Sequence, residues 1–177
     1  MNVCQQFSKE KQNIPLIAIF DRDVQNIIPK VHDDNRGFKD WGNGVYSFAL
    51  PIPQHRKDNK EICIELYYND EEIQTADENG RRIYLNCEFH PQSGRHKTLN
   101  LNTTDKSKLK NKQLKLLDNS VFDENNSNVA LSKNNFADYI FQDKLGFNDF
   151  GFEAFEEVFI IIEKIVKHHV ERIKNNL

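Results

Sequence analysis

The apolar residues of this chain fall into separate runs, and their spacing predicts strands and helices that alternate along the sequence. Residues 14–20 form a continuous apolar run that ends abruptly at Asp21-Arg22-Asp23. Such runs are typical of a strand that is buried on both faces of a parallel sheet. Residues 24–31 then predict a short helix with Asp23 at its N-cap. Residues 45–50 predict a second strand, because two prolines follow closely.

The middle of the chain is harder to interpret. In residues 62–68, the alternation of apolar and polar side chains favours a strand, whereas the acidic residues that follow also suit a helix. Residues 72–76 and 82–89 flank Asp77-Glu78-Asn79-Gly80, which is a typical turn sequence. An antiparallel hairpin is therefore predicted there.

A polar stretch separates this region from the C-terminal helices. Residues 98–131 are rich in Asn, Lys, Asp and Ser, and we interpret them as an insertion or surface connection with one short strand at 114–122. A helix is predicted to begin near Ser132, with Gly146 capping its end. The apolar stripe of the C-terminal helix contains Phe155, Val158, Phe159, Ile162, Ile165, Val166, His169 and Ile173.

These elements predict a single α/β domain over residues 1–177. It would combine a sheet region at 14–97, the polar connection at 98–131 and C-terminal helices at 132–177. The partial sheet would contain a parallel core strand and the antiparallel hairpin.

Composition excludes several classes of protein. The net charge of −3, from 24 basic and 27 acidic residues, lacks the basic excess of a protein that coats DNA. The longest apolar run after residue 20, at 158–162, is far shorter than the ~20 residues of a membrane span, so we expect no membrane. Three cysteines without a CxxC pair fit a reducing cytoplasm.

Asp21 and Asp23 are the leading candidates for chemistry. Ligands of open α/β sheets bind beyond the carboxyl ends of the strands, where these two carboxylates are expected. Two carboxylates on one side suit a hard cation such as Mg²⁺ or Mn²⁺, bound weakly because the pair supplies few ligands. The alternative is a solvated turn in which Asp23 caps the following helix.

Two further residues extend this candidate site. Glu65 interrupts the apolar run 62–68, so it lies either on an exposed strand face or in a site. Lys133 opens the helix after the polar connection, either as an ordinary surface cation or as a group that neutralises a phosphate.

Basic clusters in three loops suggest contacts with a nucleic-acid backbone, either DNA or RNA. Tyrosines at 67, 68 and 84 would be available to stack on bases. In the alternative interpretation, these are ordinary loop cations of an acidic protein. The candidate phosphate contacts are Arg56, Arg81, Arg82, Arg95 and Lys97.

The strand Ile17-Ala18-Ile19-Phe20-Asp21-Arg22-Asp23 resembles the second acidic motif of Toprim domains, which occur in topoisomerases, primases and nucleases of the overcoming-lysogenization-defect (OLD) family. Glu65 in Ile64-Glu65-Leu66 resembles the later acidic motif. Lys133 resembles the lysine that precedes a Phe-Ala helix in these nucleases. The resemblance implies a Toprim-like fold in which Asp21, Asp23 and Glu65 bind the metal and Lys133 offsets charge.

The resemblance also implies a function and partners. OLD-family nucleases hydrolyse phosphodiesters in anti-phage defence and pair their Toprim domain with an ABC-type ATPase. Toprim domains carry a glutamate on a strand before the DxD motif, but only 13 residues precede Ile14 here. We therefore expect the chain to correspond to the C-terminal part of such a domain, as either a truncated reading frame or a divergent non-catalytic remnant.

The alternative function is that of a non-enzymatic interaction module, or a subunit of a larger defence complex. The C-terminal helix is apolar around much of its circumference, because Ile160 and Ile161 lie off the main stripe. Such a helix is expected to self-associate or to bind a partner, which makes a homo-oligomer a further expectation.

Overall fold

The apolar run at 14–20 forms β1, Leu16–Phe20, in a computed structural model that describes residues 3–175. β1 pairs in parallel with β3, Val45–Ala49, so that Leu16 lies opposite Val45. β2, Lys39–Gly42, pairs with the other side of β3 in the antiparallel direction. Within the described residues this gives a three-stranded mixed sheet of order β1-β3-β2.

The burial of these strands differs from the prediction. Every residue of β3 is buried, whereas β1 is half-buried and its Ile19 is 45% exposed. The expectation that 14–20 is buried on both faces is therefore wrong. β3 has a strand on each side, but β1 has only β3 beside it among the described strands, so its apolar residues are covered less completely.

The turn between β2 and β3 requires an unusual backbone. Gly42, Asn43 and Gly44 all have positive φ angles, of 89°, 51° and 84°. Glycine tolerates this region best, and asparagine is among the few other residues that enter it readily. The Gly-Asn-Gly sequence is thus the signal that would have predicted β2, which the apolar pattern alone does not reveal.

Two predictions around this sheet need correction. The helix expected at 24–31 is reduced to α2, Ile28–Val31, whose N-cap is Ile27 rather than Asp23. Pro29 suits its first turn, because proline lacks the N–H that a helix interior needs. Residues 62–68 contain a 3₁₀ turn, Ile64–Tyr67, rather than the favoured strand.

The chain divides into two compact units. The first contains the described residues up to Tyr67 and those from Glu153 onward, and the second is Tyr68–Phe152. The first unit begins with α1, Val3–Phe7, and ends with α6, Glu156–Asn175, which follows the 3₁₀ turn Glu153–Phe155.

The second unit contains short antiparallel strand pairs instead of the predicted hairpin. β4, Tyr84–Leu85, pairs with β6, Leu116–Leu117, while β5, Asn102–Thr103, pairs with β7, Val121–Phe122. The expected first strand of the hairpin is instead α3, Asp70–Ile73, and α4 is Lys106–Leu109.

The cause of this difference lies at the start of α3. The side chain of Asn69 accepts a hydrogen bond from the backbone N–H of Glu72, and the Glu72 side chain accepts one from the Asn69 N–H. This reciprocal cap satisfies two N–H groups that a helix start leaves open. The turn at Asp77–Gly80 does form, because the N–H of Gly80 donates to the carbonyl of Asp77 at 2.9 Å.

The polar stretch contributes to the core of the second unit. Four of its residues, Leu109, Leu117, Val121 and Ala130, are buried in one cluster with Tyr84 and Phe89. Burial of these few apolar residues holds strands that are each only two residues long.

The helix predicted at Ser132 is confirmed as α5, Lys133–Phe141, with the Ser132 side chain capping it through the N–H of Asn135. Its end at Phe141 precedes Gly146 by several residues, so the predicted glycine cap is wrong. In α6, Val158, Ile165 and His169 are buried as predicted, but Phe159 and Val166 of the predicted stripe are exposed.

The fold is therefore mixed α/β, with a small mixed sheet and C-terminal helices. Within the part of the chain that the structure describes, no helix combines the length and apolar character needed to cross a bilayer.

Candidate functional site

The turn after β1 is organised by Arg22, which lies between the two candidate carboxylates. Its backbone N–H donates to the carbonyl of Ile62 at 2.7 Å, and its Nε donates to the carbonyl of Leu50 at 2.6 Å. Arg22 is half-buried, whereas Asp21 and Asp23 are exposed. The arginine thus fixes the backbone of the turn, and the acidic side chains on either side of it face solvent.

This turn lies where ligand sites of parallel sheets form. The N–H of Leu50 donates to the carbonyl of Phe20 at 2.9 Å and extends the pairing of β1 and β3 to their carboxyl ends. Asp21 and Asp23 follow directly, so both lie beyond the carboxyl end of a parallel strand pair.

Tyr67 lies close to the same end of the sheet. Its hydroxyl donates to the carbonyl of Pro51 at 2.6 Å. Burial raises the pKa of Tyr67 strongly, the nearby charges of Glu157 and Asp21 raise it further, and Arg22 opposes the shift. Glu157 therefore belongs to the electrostatic environment of this turn. The apolar pattern gives no sign of this role, because Glu157 does not belong to the apolar stripe of the terminal helix.

Glu65 lies in the 3₁₀ turn, two residues before Tyr67, and is half-buried. It does not complete a metal centre of the expected kind. Among residues 3–175, no three His, Cys, Asp or Glu side chains come together in a group that could hold a metal ion. A cation at this turn would have to rely on Asp21 and Asp23 and on water for its remaining ligands.

Lys133 is the first residue of α5 and belongs to the second unit, whereas the three candidate carboxylates belong to the first. It is half-buried at the N-terminal turn of its helix.

The predicted phosphate contacts fall into two groups. Arg81 and Arg82 are ion-paired inside the second unit, with Asp77 and Glu88 respectively. The guanidinium of Arg82 also lies 3.8 Å from the centre of the Tyr84 ring. Their charge is thus largely committed to contacts within the fold. The second group contains the three remaining predicted contacts. Arg56 donates from Nε to the Leu66 carbonyl at 3.2 Å, and Arg95 and Lys97 are exposed.

The expectation that three tyrosines are available for base stacking is wrong. Tyr67, Tyr68 and Tyr84 are 2%, 8% and 4% exposed, so their rings are part of the packed interior. Aromatic side chains bury a large area and contribute strongly to protein cores, and these three rings serve that purpose here.

Comparison of the chain with models of protein families, with curated protein sequences and with solved structures finds no match.

Proposed function

We propose that the turn after β1 is a weak Mg²⁺ or Mn²⁺ site that serves phosphodiester hydrolysis in a larger, Toprim-like defence nuclease. The observation that supports this most is the pair of exposed carboxylates, Asp21 and Asp23, at the carboxyl end of two parallel strands. The reaction, metal-dependent hydrolysis of a phosphodiester, is inferred from the resemblance of residues 17–23 to the acidic motif of Toprim domains.

The donor set is compatible with such a cation. Carboxylate oxygens are the ligands that Mg²⁺ prefers, and Mg²⁺ retains several waters when only one or two carboxylates bind it. A divalent cation held there would lower the pKa of a bound water and offset the charge of a phosphodiester. Arg22 keeps the two carboxylates on a fixed backbone through its hydrogen bonds to Leu50 and Ile62.

The remaining predicted residues have narrower roles in this proposal. Arg95 and Lys97 are exposed and would contact the phosphates of DNA or RNA. An ABC-type ATPase or another defence protein would be the partner of this domain, as the Toprim resemblance implies.

Mn²⁺ titration tests the site directly, because this paramagnetic ion broadens NMR signals of nearby amides. We expect the amide of Arg22 to broaden selectively, and the double substitution Asp21→Asn and Asp23→Asn to abolish the effect. A matched control replaces two exposed acids of the second unit, Asp143→Asn with Asp149→Asn. Unchanged Mn²⁺ affinity in the first variant, or equal loss in both, would exclude the proposed site.

An interaction module is a second candidate, and the exposed apolar side of α6 favours it. Phe159, Val166 and Val170 are 62%, 40% and 43% exposed. Their spacing of seven and four residues places them on one face of the helix. Sedimentation velocity tests this candidate separately from metal binding. A concentration-dependent shift from monomer to dimer supports it, and a monomer throughout the micromolar range contradicts it.

A further inference from the structure

The positive charge of this chain is concentrated in one segment of the second unit. Residues 95–115 contain seven Lys or Arg residues and a single acidic residue, Asp105, so their net charge is +6. The whole chain has a net charge of −3, so the remaining residues together carry −9. Such an asymmetry within one chain is typical of proteins that bind a polyanion such as nucleic acid. The acidic total thus conceals a local basic region.

Most of these cations are not neutralised by the fold. Lys108 is ion-paired, with Asp105 at 3.7 Å and with Asp118 at 3.3 Å. Five others are exposed, and within residues 3–175 none of the five forms an ion pair: Arg95, Lys97, Lys106, Lys110 and Lys112. Their charge is therefore available to a ligand, and we refer to these five residues as the basic surface.

The extended segment around His96 directs two of these cations to the same side. His96 forms an antiparallel bridge with Phe89, and its side chain is only 6% exposed, with Nε2 at 3.2 Å from the Glu88 carboxylate. Successive side chains of an extended segment point to opposite sides. Because His96 points inward, Arg95 and Lys97 both point outward.

The buried side chain of Asn86 anchors the loop that carries the lysines after α4. Its amide donates to three backbone carbonyls at 3.1, 3.4 and 3.0 Å, those of Lys108, Asn111 and Gln113. The loop is thus held through its backbone, while the side chains of Lys110 and Lys112 are exposed.

A cavity of about 380 Å³ brings the two groups of cations together, because both Lys97 and Lys112 line it. Its lining also includes two amide side chains and several apolar ones, of which Pro91 is exposed and Leu114 is half-buried. Among the described residues that line it there is no acidic one. The volume falls within the range of about 300–1,000 Å³ that is usual for small-molecule pockets. Apolar walls, amide groups and two cations suit a nucleotide, which combines an apolar base face, polar base edges and a phosphate.

The remaining cations lie beside this cavity. Lys110 is between Leu109 and Asn111, which both line it. Cε of Lys106 would lie 3.9 Å from a Cβ at Gly94, the residue before Arg95. The basic surface therefore extends from the cavity in both directions along these segments.

We propose that the basic surface binds single-stranded nucleic acid, with one base in the cavity and the adjacent phosphates on Lys97 and Lys112. The bases of a duplex are stacked and paired, and they enter a pocket only after they are flipped out, whereas those of a single strand are accessible. The inference rests on the proposed function, because it names the form of nucleic acid that such a nuclease would hold. Binding itself requires neither cleavage nor the metal.

Fluorescence anisotropy tests the proposal, with the full chain titrated into a labelled oligothymidylate of about ten nucleotides at several salt concentrations. The slope of log K against log salt is about −0.7 for each phosphate of a single strand that is neutralised, so five cations predict a slope of about −3.5. Lys97→Gln with Lys112→Gln should reduce its magnitude by about 1.4. The matched control is Lys9→Gln with Lys11→Gln, since both lysines are exposed and belong to the first unit. It should leave the slope unchanged.

Cys87 tests the placement of a base in the cavity. It is an exposed thiol in the lining, whereas Cys4 and Cys63 are buried. Bound oligothymidylate should slow the alkylation of Cys87 by N-ethylmaleimide in proportion to the fraction of the chain that is bound. A DNA duplex of the same length should bind about tenfold more weakly, because it offers no unpaired base to the cavity.

Each opposite result overturns the proposal. Absence of binding at low salt would do so, and so would an equal change of slope in the two lysine variants, because net charge alone would then explain the binding. Unprotected Cys87 in the bound chain, or a duplex that binds as tightly, would contradict the single strand in the cavity. Polyglutamate that displaces the oligonucleotide at equal charge would assign the basic surface to an acidic protein instead. The Asp21→Asn and Asp23→Asn variant should bind the oligonucleotide in EDTA with the same salt slope, so failure of the metal site leaves this result intact.

Discussion

Replacing Glu88 by glutamine tests the electrostatic centre of the second unit. The Glu88 carboxylate accepts hydrogen bonds from both terminal nitrogens of Arg82, from the N–H of Leu85 at 2.6 Å and from Nε2 of His96 at 3.2 Å. Its side chain is only 15% exposed. Glutamine has the same shape but a single acceptor oxygen and no charge, so it can retain only part of this network.

The expected loss of stability follows from these contacts. Hydrogen bonds to charged groups contribute about 1.5–3 kcal/mol each, and breaking a fully buried ion pair costs about 3–5 kcal/mol. Arg82 is 16% exposed and lies over the Tyr84 ring. Water and the ring therefore still stabilise its charge after Glu88 is replaced, which reduces the expected loss. We therefore expect Glu88→Gln to lower the free energy of unfolding by about 2–3 kcal/mol.

Two measurements check this value. Urea unfolding followed by circular dichroism gives the overall change, and amide hydrogen exchange of Leu85 reports the site itself. The control is Glu78→Gln, since Glu78 is an exposed acid in the turn before β4 and its substitution should change stability by less than about 0.5 kcal/mol. A Glu88→Gln protein as stable as this control would refute the reasoning.

The pH dependence provides a second check. Burial raises the pKa of Glu88, but the hydrogen bonds from Arg82 and Leu85 outweigh it and hold the pKa below the usual value. A depressed folded-state pKa stabilises the protein fully above the unfolded value of about 4.3, and this contribution is lost as the pH falls through the folded value. The difference between the natural protein and Glu88→Gln should thus shrink on acidification. A constant difference from pH 7 to strong acid would contradict the assignment.

Two further substitutions test local features. Gly94→Ala should lower the free energy of unfolding by at least about 2 kcal/mol, because its φ is +77° and a Cβ would lie 2.7 Å from the carbonyl oxygen of Thr103. Gly80→Ala, at φ +74° with open space around it, should cost only about 1 kcal/mol, and equal losses in urea unfolding would contradict this explanation. Replacing Phe159 and Val166 of α6 together by glutamine should abolish self-association in sedimentation velocity and leave the thermal midpoint nearly unchanged. A large fall in that midpoint would instead place these side chains in the core.

Local patterns of apolar residues were sufficient to predict the longer helices and strands. The apolar run at 14–20 predicts β1, and the helical spacing of apolar residues predicts α5 and α6, because each repeats within a single stretch of chain. The position of Asp21 and Asp23 beyond the end of β1 follows from the same run. The backbone of the turn, however, is held by Arg22, whose partners Leu50 and Ile62 lie 28 and 40 residues further along the chain.

A strand of only two residues is too short to show the alternation of polar and apolar side chains from which strands are predicted. β4 pairs with β6, more than 30 residues later, rather than with its neighbour in the sequence, because burial of Tyr84, Leu117 and Val121 in one cluster decides the pairing. Glu65 also alternates with apolar residues as a strand residue would, yet it lies in a 3₁₀ turn.

The contact between Tyr46 and His169 is the clearest case of a feature that tertiary structure alone decides. Tyr46 and His169 are 123 residues apart, and their sequence neighbours indicate only a strand and an amphipathic helix. The sequence determines that His169 lies on the buried side of α6. Only the packing of that helix against β3 and the turn at Gly44 places the ring beside Tyr46 and buries its Nε2. Hydrogen bonding and excluded volume act here between residues that the chain order keeps far apart.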